Sequence, residues 1–85
     1  MKPTMIDLFS GVGGLSLGFE MAGFTVVLAN EYDASIAGAY VKNRPNTKMI
    51  VNDITKLPID STFSPYKNKV DLIVGGPPCQ GFSQK

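Results

Sequence analysis

Residues 4–23, TMIDLFSGVGGLSLGFEMAG, contain the pattern that decides the fold. The apolar run of residues 4–9 ends at Ser10-Gly11, which predicts a buried strand followed by a tight turn. A helix over residues 15–22 is expected next, with Leu15, Phe19 and Ala22 at helical spacing and Gly23 at its C-terminal cap. This order of strand, glycine-rich turn and helix is typical of the first unit of an α/β protein.

The same alternation continues along the chain. Apolar, β-branched runs predict three further strands at residues 25–29, 49–51 and 70–74. Asp33 is a good N-cap for a helix over residues 34–41, which must stop before Pro45. Residues 54–69 are polar and receive no assignment. The alternation predicts an α/β fold with a parallel, Rossmann-like sheet, in which ligands bind beyond the carboxyl ends of the strands.

Length and composition exclude several classes of protein. The 85 residues allow one small domain, and a net charge of +1 does not by itself indicate nucleic-acid binding. One cysteine and no histidine exclude an internal disulfide, a cysteine-rich zinc site and a Cys–His protease pair within the chain. We expect a reducing, cytoplasmic setting, no metal, no signal peptide and no membrane span, because no apolar run approaches about 20 residues.

The predicted strands end in residues that could bind a nucleotide-like ligand. The glycine-rich turn after the first strand lets the backbone approach a ligand and points amide groups at it, although such a turn can also serve packing alone. Glu31 ends the second strand twenty residues after Gly11, where a carboxylate can accept hydrogen bonds from ribose hydroxyls; the alternative is a solvated strand-end side chain. Asp53 follows the third strand and could accept from an adenine amino group or act as a helix N-cap.

Cys79 lies in the segment Gly75-Gly76-Pro77-Pro78-Cys79-Gln80-Gly81-Phe82-Ser83, beyond the fourth predicted strand. Buried structural cysteines usually lie inside apolar stretches, whereas this one follows a rigid Pro-Pro and precedes a flexible Gln-Gly. Its place at the ligand-binding edge of the sheet favours a reactive thiol.

In these motifs the sequence resembles the DNA cytosine-5 methyltransferase family. The resemblance covers nearly the whole chain, in order, and its motifs are residues 7–14 (DLFSGVGG), 30–33 (NEYD), 52–54 (NDI) and 76–83 (GPPCQGFS). It implies a fold of the S-adenosylmethionine-dependent methyltransferase type, S-adenosyl-L-methionine as cofactor and double-stranded DNA, with a flipped cytosine, as partner.

The resemblance also implies a role for individual residues. Phe9 would pack on the adenine, Glu31 would hold the ribose, Asp53 and Ile54 would contact the adenine, and Cys79 would attack C6 of the cytosine. The remaining cofactor-binding residues would be Asp7, Ser10, Gly11, Val12, Gly13, Gly14, Tyr32 and Pro77, with Asp7 on the methionine amine. Pro78, Gln80, Gly81, Phe82 and Ser83 would bind the substrate.

Other parts of the family pattern lie outside residues 1–85. These are a Glu-Asn-Val motif, an Arg-x-Arg motif, the target-recognition domain and a C-terminal helix. We therefore expect residues 1–85 to be the N-terminal part of the catalytic domain, inactive alone, and to pair with the remainder of the methyltransferase chain, a complementary fragment or itself. Two alternatives stay open: an RNA (tRNA) cytosine-5 methyltransferase of the same fold, and a non-catalytic S-adenosylmethionine-binding module; a dehydrogenase fits least.

Overall fold

The structure, a computed structural model, describes residues 2–75. Four strands and three α-helices alternate along this part of the chain. They are β1 (Thr4–Leu8), α1 (Gly14–Met21), β2 (Thr25–Glu31), α2 (Ala34–Lys42), β3 (Lys48–Val51), α3 (Ile59–Phe63) and β4 (Leu72–Gly75). Two single 3₁₀ turns, Ile54–Lys56 and Ser64–Tyr66, flank α3. The four predicted strands and two predicted helices are present, and residues 54–69, which received no assignment, form the short helices.

The strands form one parallel sheet in the order β3-β2-β1-β4. Leu8 of β1 pairs with Gly75 of β4, and Glu31 of β2 pairs with Val51 of β3, so the carboxyl ends of all four strands lie on one edge. The prediction of a parallel, Rossmann-like α/β sheet is confirmed. Because the chain passes from β3 across to the far side of β1, the topology switches next to β1, where such sheets bind ligands.

The helix ends follow local sequence rules. Gly23, at φ 103°, ends α1 with a Schellman motif, in which the amides of Gly23 and Phe24 donate to the carbonyls of Glu20 and Phe19. Asp33 caps α2 by accepting hydrogen bonds from the amides of Ser35 and Ile36, as expected. The side chain of Leu15, in the first turn of α1, is 44% exposed.

The helices cover the two faces of the sheet unequally. Right-handed crossovers in the same direction place α1 and α2 on one face, where Ser16 of α1 bonds Tyr40 of α2. The reversed crossover after β3 places α3 on the other face, and Ile6 lines a cavity there with Phe63 and Tyr66. The apolar core is small, and its buried residues are Met5, Ile6, Val26, Leu28, Ala29, Ala37 and Tyr40. Within residues 2–75, every helix is too short or too polar to span a bilayer.

Candidate functional site

A cavity of about 530 Å³ lies at the carboxyl edge of the sheet, over the ends of β1, β2 and β3. Its volume falls within the range of about 300–1,000 Å³ that is usual for small-molecule sites. Six of the predicted cofactor-binding residues line it: Phe9, Gly11, Glu31, Tyr32, Asp53 and Ile54. Asn30, Asp33, Ile36 and Asn52 complete the lining. Residues that are far apart in the sequence are thus brought together at the edge where the parallel topology places ligands.

Phe9 reaches this cavity through an unusual backbone conformation. Its φ of 57° lies in the left-handed region, which costs a non-glycine residue about 1–3 kcal/mol and which clusters at functional sites. The ring also lies near the end of β4, since a Cβ added at Gly75 would stand 3.7 Å from Phe9 Cδ2. The carboxyl end of β4 therefore lies beside the aromatic wall of the cavity.

The carboxylate of Glu31 joins two loops at the strand ends. Oε1 accepts a hydrogen bond from the Gly11 amide (2.9 Å), and Oε2 accepts one from the Asp33 amide (2.8 Å). Glu31 is only 9% exposed, so both bonds are made in a largely dehydrated setting. Glu31 is therefore not a solvated side chain at the strand end, which was the alternative interpretation. Each oxygen keeps a second lone pair that can accept from a ligand hydroxyl.

At the end of the third strand, the side chains of Asn30 and Asp53 form hydrogen bonds with backbone groups. Asn30 Nδ2 donates to the carbonyls of Ile50 and Asn52, both at 3.0 Å, which ties β2 to the loop after β3. Asp53 is the N-cap of the turn Ile54–Lys56, and its Oδ1 accepts from the amide (2.9 Å) and hydroxyl (2.7 Å) of Thr55. The bonds from the Thr55 hydroxyl and amide lower the pKa of Asp53. The N-cap alternative is thus observed, and because the cap uses Oδ1, it is compatible with a ligand contact through Oδ2.

The glycine-rich loop turns sharply between β1 and α1. The Ser10 amide donates to the Asn30 carbonyl (2.8 Å), and Gly11 and Gly13 have φ values of 60° and 109° that only glycine adopts readily. Gly13 is the N-cap of α1, and no side chain caps the helix there. The first-turn amides, which have no partner within a helix, are thus left to bind a ligand. Val12 is exposed (64%), Gly14 is exposed, and Gly13 is buried.

Asp7 lies under α1 and is not among the residues that line the cavity. Its Oδ2 accepts a hydrogen bond from the Ser16 hydroxyl, which also bonds the Tyr40 hydroxyl at 2.7 Å. Oδ1 is buried without a hydrogen-bond partner among the described residues. Burial raises the pKa of Asp7, and the Ser16 hydrogen bond opposes part of this shift. A contact between Asp7 and the methionine amine stays a prediction.

Sequence reasoning missed Ser16, Tyr40 and Arg44 as parts of the site. Ser16 and Tyr40 are fully buried, and the Arg44 side chain reaches back to Gly13. Two of these residues carry a signal in the sequence: Ser16 is a polar residue two positions after the glycine loop, and Arg44 is the single arginine in the chain. Among residues 2–75, no cluster of three or more potential metal ligands occurs. The predicted residues Pro77, Pro78, Cys79, Gln80, Gly81, Phe82 and Ser83 lie outside the described part of the chain.

The parallel sheet, the glycine-rich turn and the strand-end carboxylate define an α/β protein of the Rossmann-like class with a nucleotide-type site. The chain belongs to the C-5 cytosine-specific DNA methylase family, whose family model matches residues 3–85.

Individual relatives agree with this assignment. The chain is 46% identical over 80 residues to the Type II methyltransferase M.NgoPII of Neisseria gonorrhoeae, covering 94% of this chain and 22% of the relative. It is 51% identical over 81 residues to the Type II methyltransferase M.DdeI of Desulfomicrobium norvegicum, covering 94% and 19%. A solved structure described as a DNA modification methyltransferase encoded within a prophage (E. coli) superposes with a TM-score of 0.81 at 44% identity, covering 94% and 24%. The chain thus spans about a fifth to a quarter of the length of these proteins.

Proposed function

We propose that this chain supplies the cofactor-binding half and the nucleophile of an enzyme that transfers a methyl group from S-adenosyl-L-methionine to C5 of cytosine in DNA. The observation that carries the proposal is the convergence of Phe9, Glu31 and Asp53 on one cavity, in a chain of the cytosine-specific methylase family. The protein in which the proposal can be tested is a complete methyltransferase, that is, a full-length enzyme that carries these 85 residues.

The cavity fits the chemistry of the cofactor. Phe9 and Ile54 offer apolar surfaces for the adenine, and the second oxygen of Asp53 can accept from its amino group. The free lone pairs of Glu31 can accept from the ribose hydroxyls. The first-turn amides of α1 can bind the methionine carboxylate, because a helix N-terminus favours negative charge. When bound, the cofactor supplies an electrophilic methyl group on a sulfonium.

Cys79 is the proposed nucleophile. Its thiolate would add through Sγ to C6 of the cytosine, and the electrons would move to C5. C5 would then take the methyl group, and the sulfur of the cofactor would be released as a neutral thioether. Loss of the C5 proton to a base and expulsion of the thiolate then release the methylated cytosine and restore Cys79. Since C6 is reached from above the ring, the base must leave the duplex. Cys79 follows Gly75 by four residues, a length of chain that extends at most about 14 Å, and Gly75 lies beside Phe9 at the carboxyl edge of the sheet.

The rest of a methyltransferase is the proposed partner of the sheet face that α3 covers only in part. Ile73 of β4 is 59% exposed, and it lines an apolar cavity of about 570 Å³ with Phe63 and Val70. In the described sheet, β4 is an edge strand, which can pair with further strands. We therefore propose that residues 1–85 alone do not methylate DNA, because this sheet face would stay open to solvent. Methyl transfer to duplex DNA by the purified 85-residue chain would contradict this.

Trapping with DNA that carries 5-fluorocytosine tests the proposal. Fluorine at C5 cannot leave as a proton does, so the covalent Cys79 adduct accumulates. A complete methyltransferase should form an adduct that resists denaturant, and Cys79→Ala should form none. Ser61→Ala, an exposed change in α3, is the matched control and should trap like the wild type. An adduct that persists in Cys79→Ala would refute the role of this thiol, and replacing the duplex DNA by tRNA separates the RNA-directed alternative.

A further inference from the structure

Arg44 makes contacts that the proposed function does not yet use. It lies two residues after α2, and its side chain is only 8% exposed. Nε and Nη2 bind the carboxylate of Glu20 in α1 at distances of 2.9–3.2 Å. Nη2 also donates to the Gly13 carbonyl at 3.2 Å. One guanidinium therefore joins the end of α2 to both ends of α1.

The guanidinium also occupies the space behind Gly13. A Cβ added at Gly13 would stand 2.5 Å from Arg44 Nη1 and 2.9 Å from its Cζ. Arg44 Cζ in turn lies 4.3 Å from the centre of the Tyr40 ring, whose hydroxyl bonds Ser16. The Arg44 guanidinium thus packs between Gly13 of the glycine loop and the ring of Tyr40.

The Gly13 carbonyl is the point through which this contact acts on the loop. It accepts from the Leu17 amide (2.8 Å), the first hydrogen bond of α1, as well as from Arg44. The Gly13 amide donates to the Ser10 carbonyl (3.1 Å), which closes the loop. No side chain of the described residues caps α1. Within the described part of the chain, Arg44 is therefore the side chain that fixes the orientation of the Gly13–Gly14 peptide unit, through its bond to the Gly13 carbonyl.

We propose that Arg44 is a positioning residue for the cofactor loop, residues 10–14. Through its hydrogen bond to the Gly13 carbonyl, Arg44 orients the first-turn amides of α1 toward the edge of the cavity. The role rests on the proposed function, because it assumes that S-adenosyl-L-methionine binds at this loop. It requires arginine, since a planar guanidinium can bind Glu20, bind Gly13 and stack on Tyr40 at once, whereas an ammonium group cannot.

The test uses a complete methyltransferase with Arg44→Lys, which keeps the charge beside Glu20. A second variant, Glu20→Gln with Arg44→Gln, removes both charges, so that no unpaired ion remains buried. Lys42→Gln, an exposed cation on α2, is the control. Amide hydrogen exchange is measured without cofactor, the S-adenosyl-L-methionine Kd by calorimetry, and KM for cofactor and for DNA by initial rates.

Both Arg44 variants should raise the Kd and KM for S-adenosyl-L-methionine about tenfold, the effect of one lost hydrogen bond to a charged group. The KM for DNA and kcat should stay within about twofold of wild type, because the loop acts on cofactor binding. Exchange at the Gly13 and Leu17 amides should quicken about tenfold, while the Leu28 amide in β2 and the Lys42→Gln variant stay unchanged.

A cofactor Kd within about twofold of wild type in both Arg44 variants would overturn the proposed role. Equal acceleration of amide exchange at Leu17 and Leu28 would also overturn this role, because it would indicate a general loss of stability rather than a local one. A wild type that binds DNA but not S-adenosyl-L-methionine would instead overturn the proposed function, and this role with it.

Discussion

Replacing Glu31 with glutamine should loosen the two loops that form the cavity, because the carboxylate accepts from two backbone amides at once. The Gly11 amide binds Oε1 and the Asp33 amide binds Oε2. Glutamine has the same shape but a single acceptor oxygen, and its amino group would face the second backbone amide, donor against donor. One of the two loop contacts must therefore be lost.

The size of the effect follows from the bonds involved. Hydrogen bonds to a charged group contribute about 1.5–3 kcal/mol each and neutral ones about 0.5–1.5 kcal/mol. The variant exchanges two charged bonds for one neutral bond, and water at the cavity mouth recovers part of the difference. A local destabilisation of about 2–3 kcal/mol is expected, which corresponds to roughly 30- to 150-fold faster opening.

Native-state hydrogen exchange at the Gly11 and Asp33 amides measures this directly in a complete methyltransferase. Asp33→Asn is the matched control, since it removes the same charge two residues away while asparagine remains an equally good N-cap. The reasoning is refuted if both amides in Glu31→Gln exchange within about threefold of wild type. The same variant should bind S-adenosyl-L-methionine about tenfold more weakly, because the acceptor for the ribose hydroxyls is weakened.

Two further changes test the loop and the helix cap. Gly13→Ala should lower stability by more than about 2 kcal/mol in chemical denaturation, because a left-handed φ costs alanine about 1–2 kcal/mol and the new Cβ would stand 2.5 Å from Arg44 Nη1. Gly18→Ala in mid-α1, where an added Cβ meets nothing within 4 Å, should instead leave stability unchanged or raise it by up to about 1 kcal/mol; equal losses in both variants would contradict the Gly13 prediction. Asp33→Ala should lower the melting temperature at about pH 7, and the difference from wild type should shrink as the pH falls below 3.8, because the protonated carboxyl keeps only a neutral cap. The hydrogen bonds from Ser35 and Ile36 lower the pKa of Asp33 in the folded protein. The stabilisation from the charged cap is therefore present above the pKa that Asp33 has in the unfolded chain, and it is lost as the folded protein takes up a proton. A difference in melting temperature that stays constant down to about pH 2.5 would argue against this origin.

The sequence by itself determined the four strands, the first two helices and their order, whereas α3 was not predicted. The strands, the cap at Asp33 and the Schellman glycine at Gly23 depend on periodicity and on hydrogen bonds within one turn, so neighbouring residues suffice to predict them. The parallel sheet follows, because strands joined by helical crossovers run in one direction and end at one edge. For this reason Phe9, Glu31 and Asp53 could be predicted to converge.

Only the tertiary structure decided what each polar group binds. Ser16 is buried and its neighbour Leu15 is exposed, because packing decides which face of α1 meets Asp7 and Tyr40. Arg44 reaches Gly13 across 31 positions of sequence, a contact that no local pattern encodes. The physical reason is the same in both cases. Buried polar groups must find partners wherever the packed chain places them, and those partners are set by the arrangement of whole elements rather than by the residues beside them.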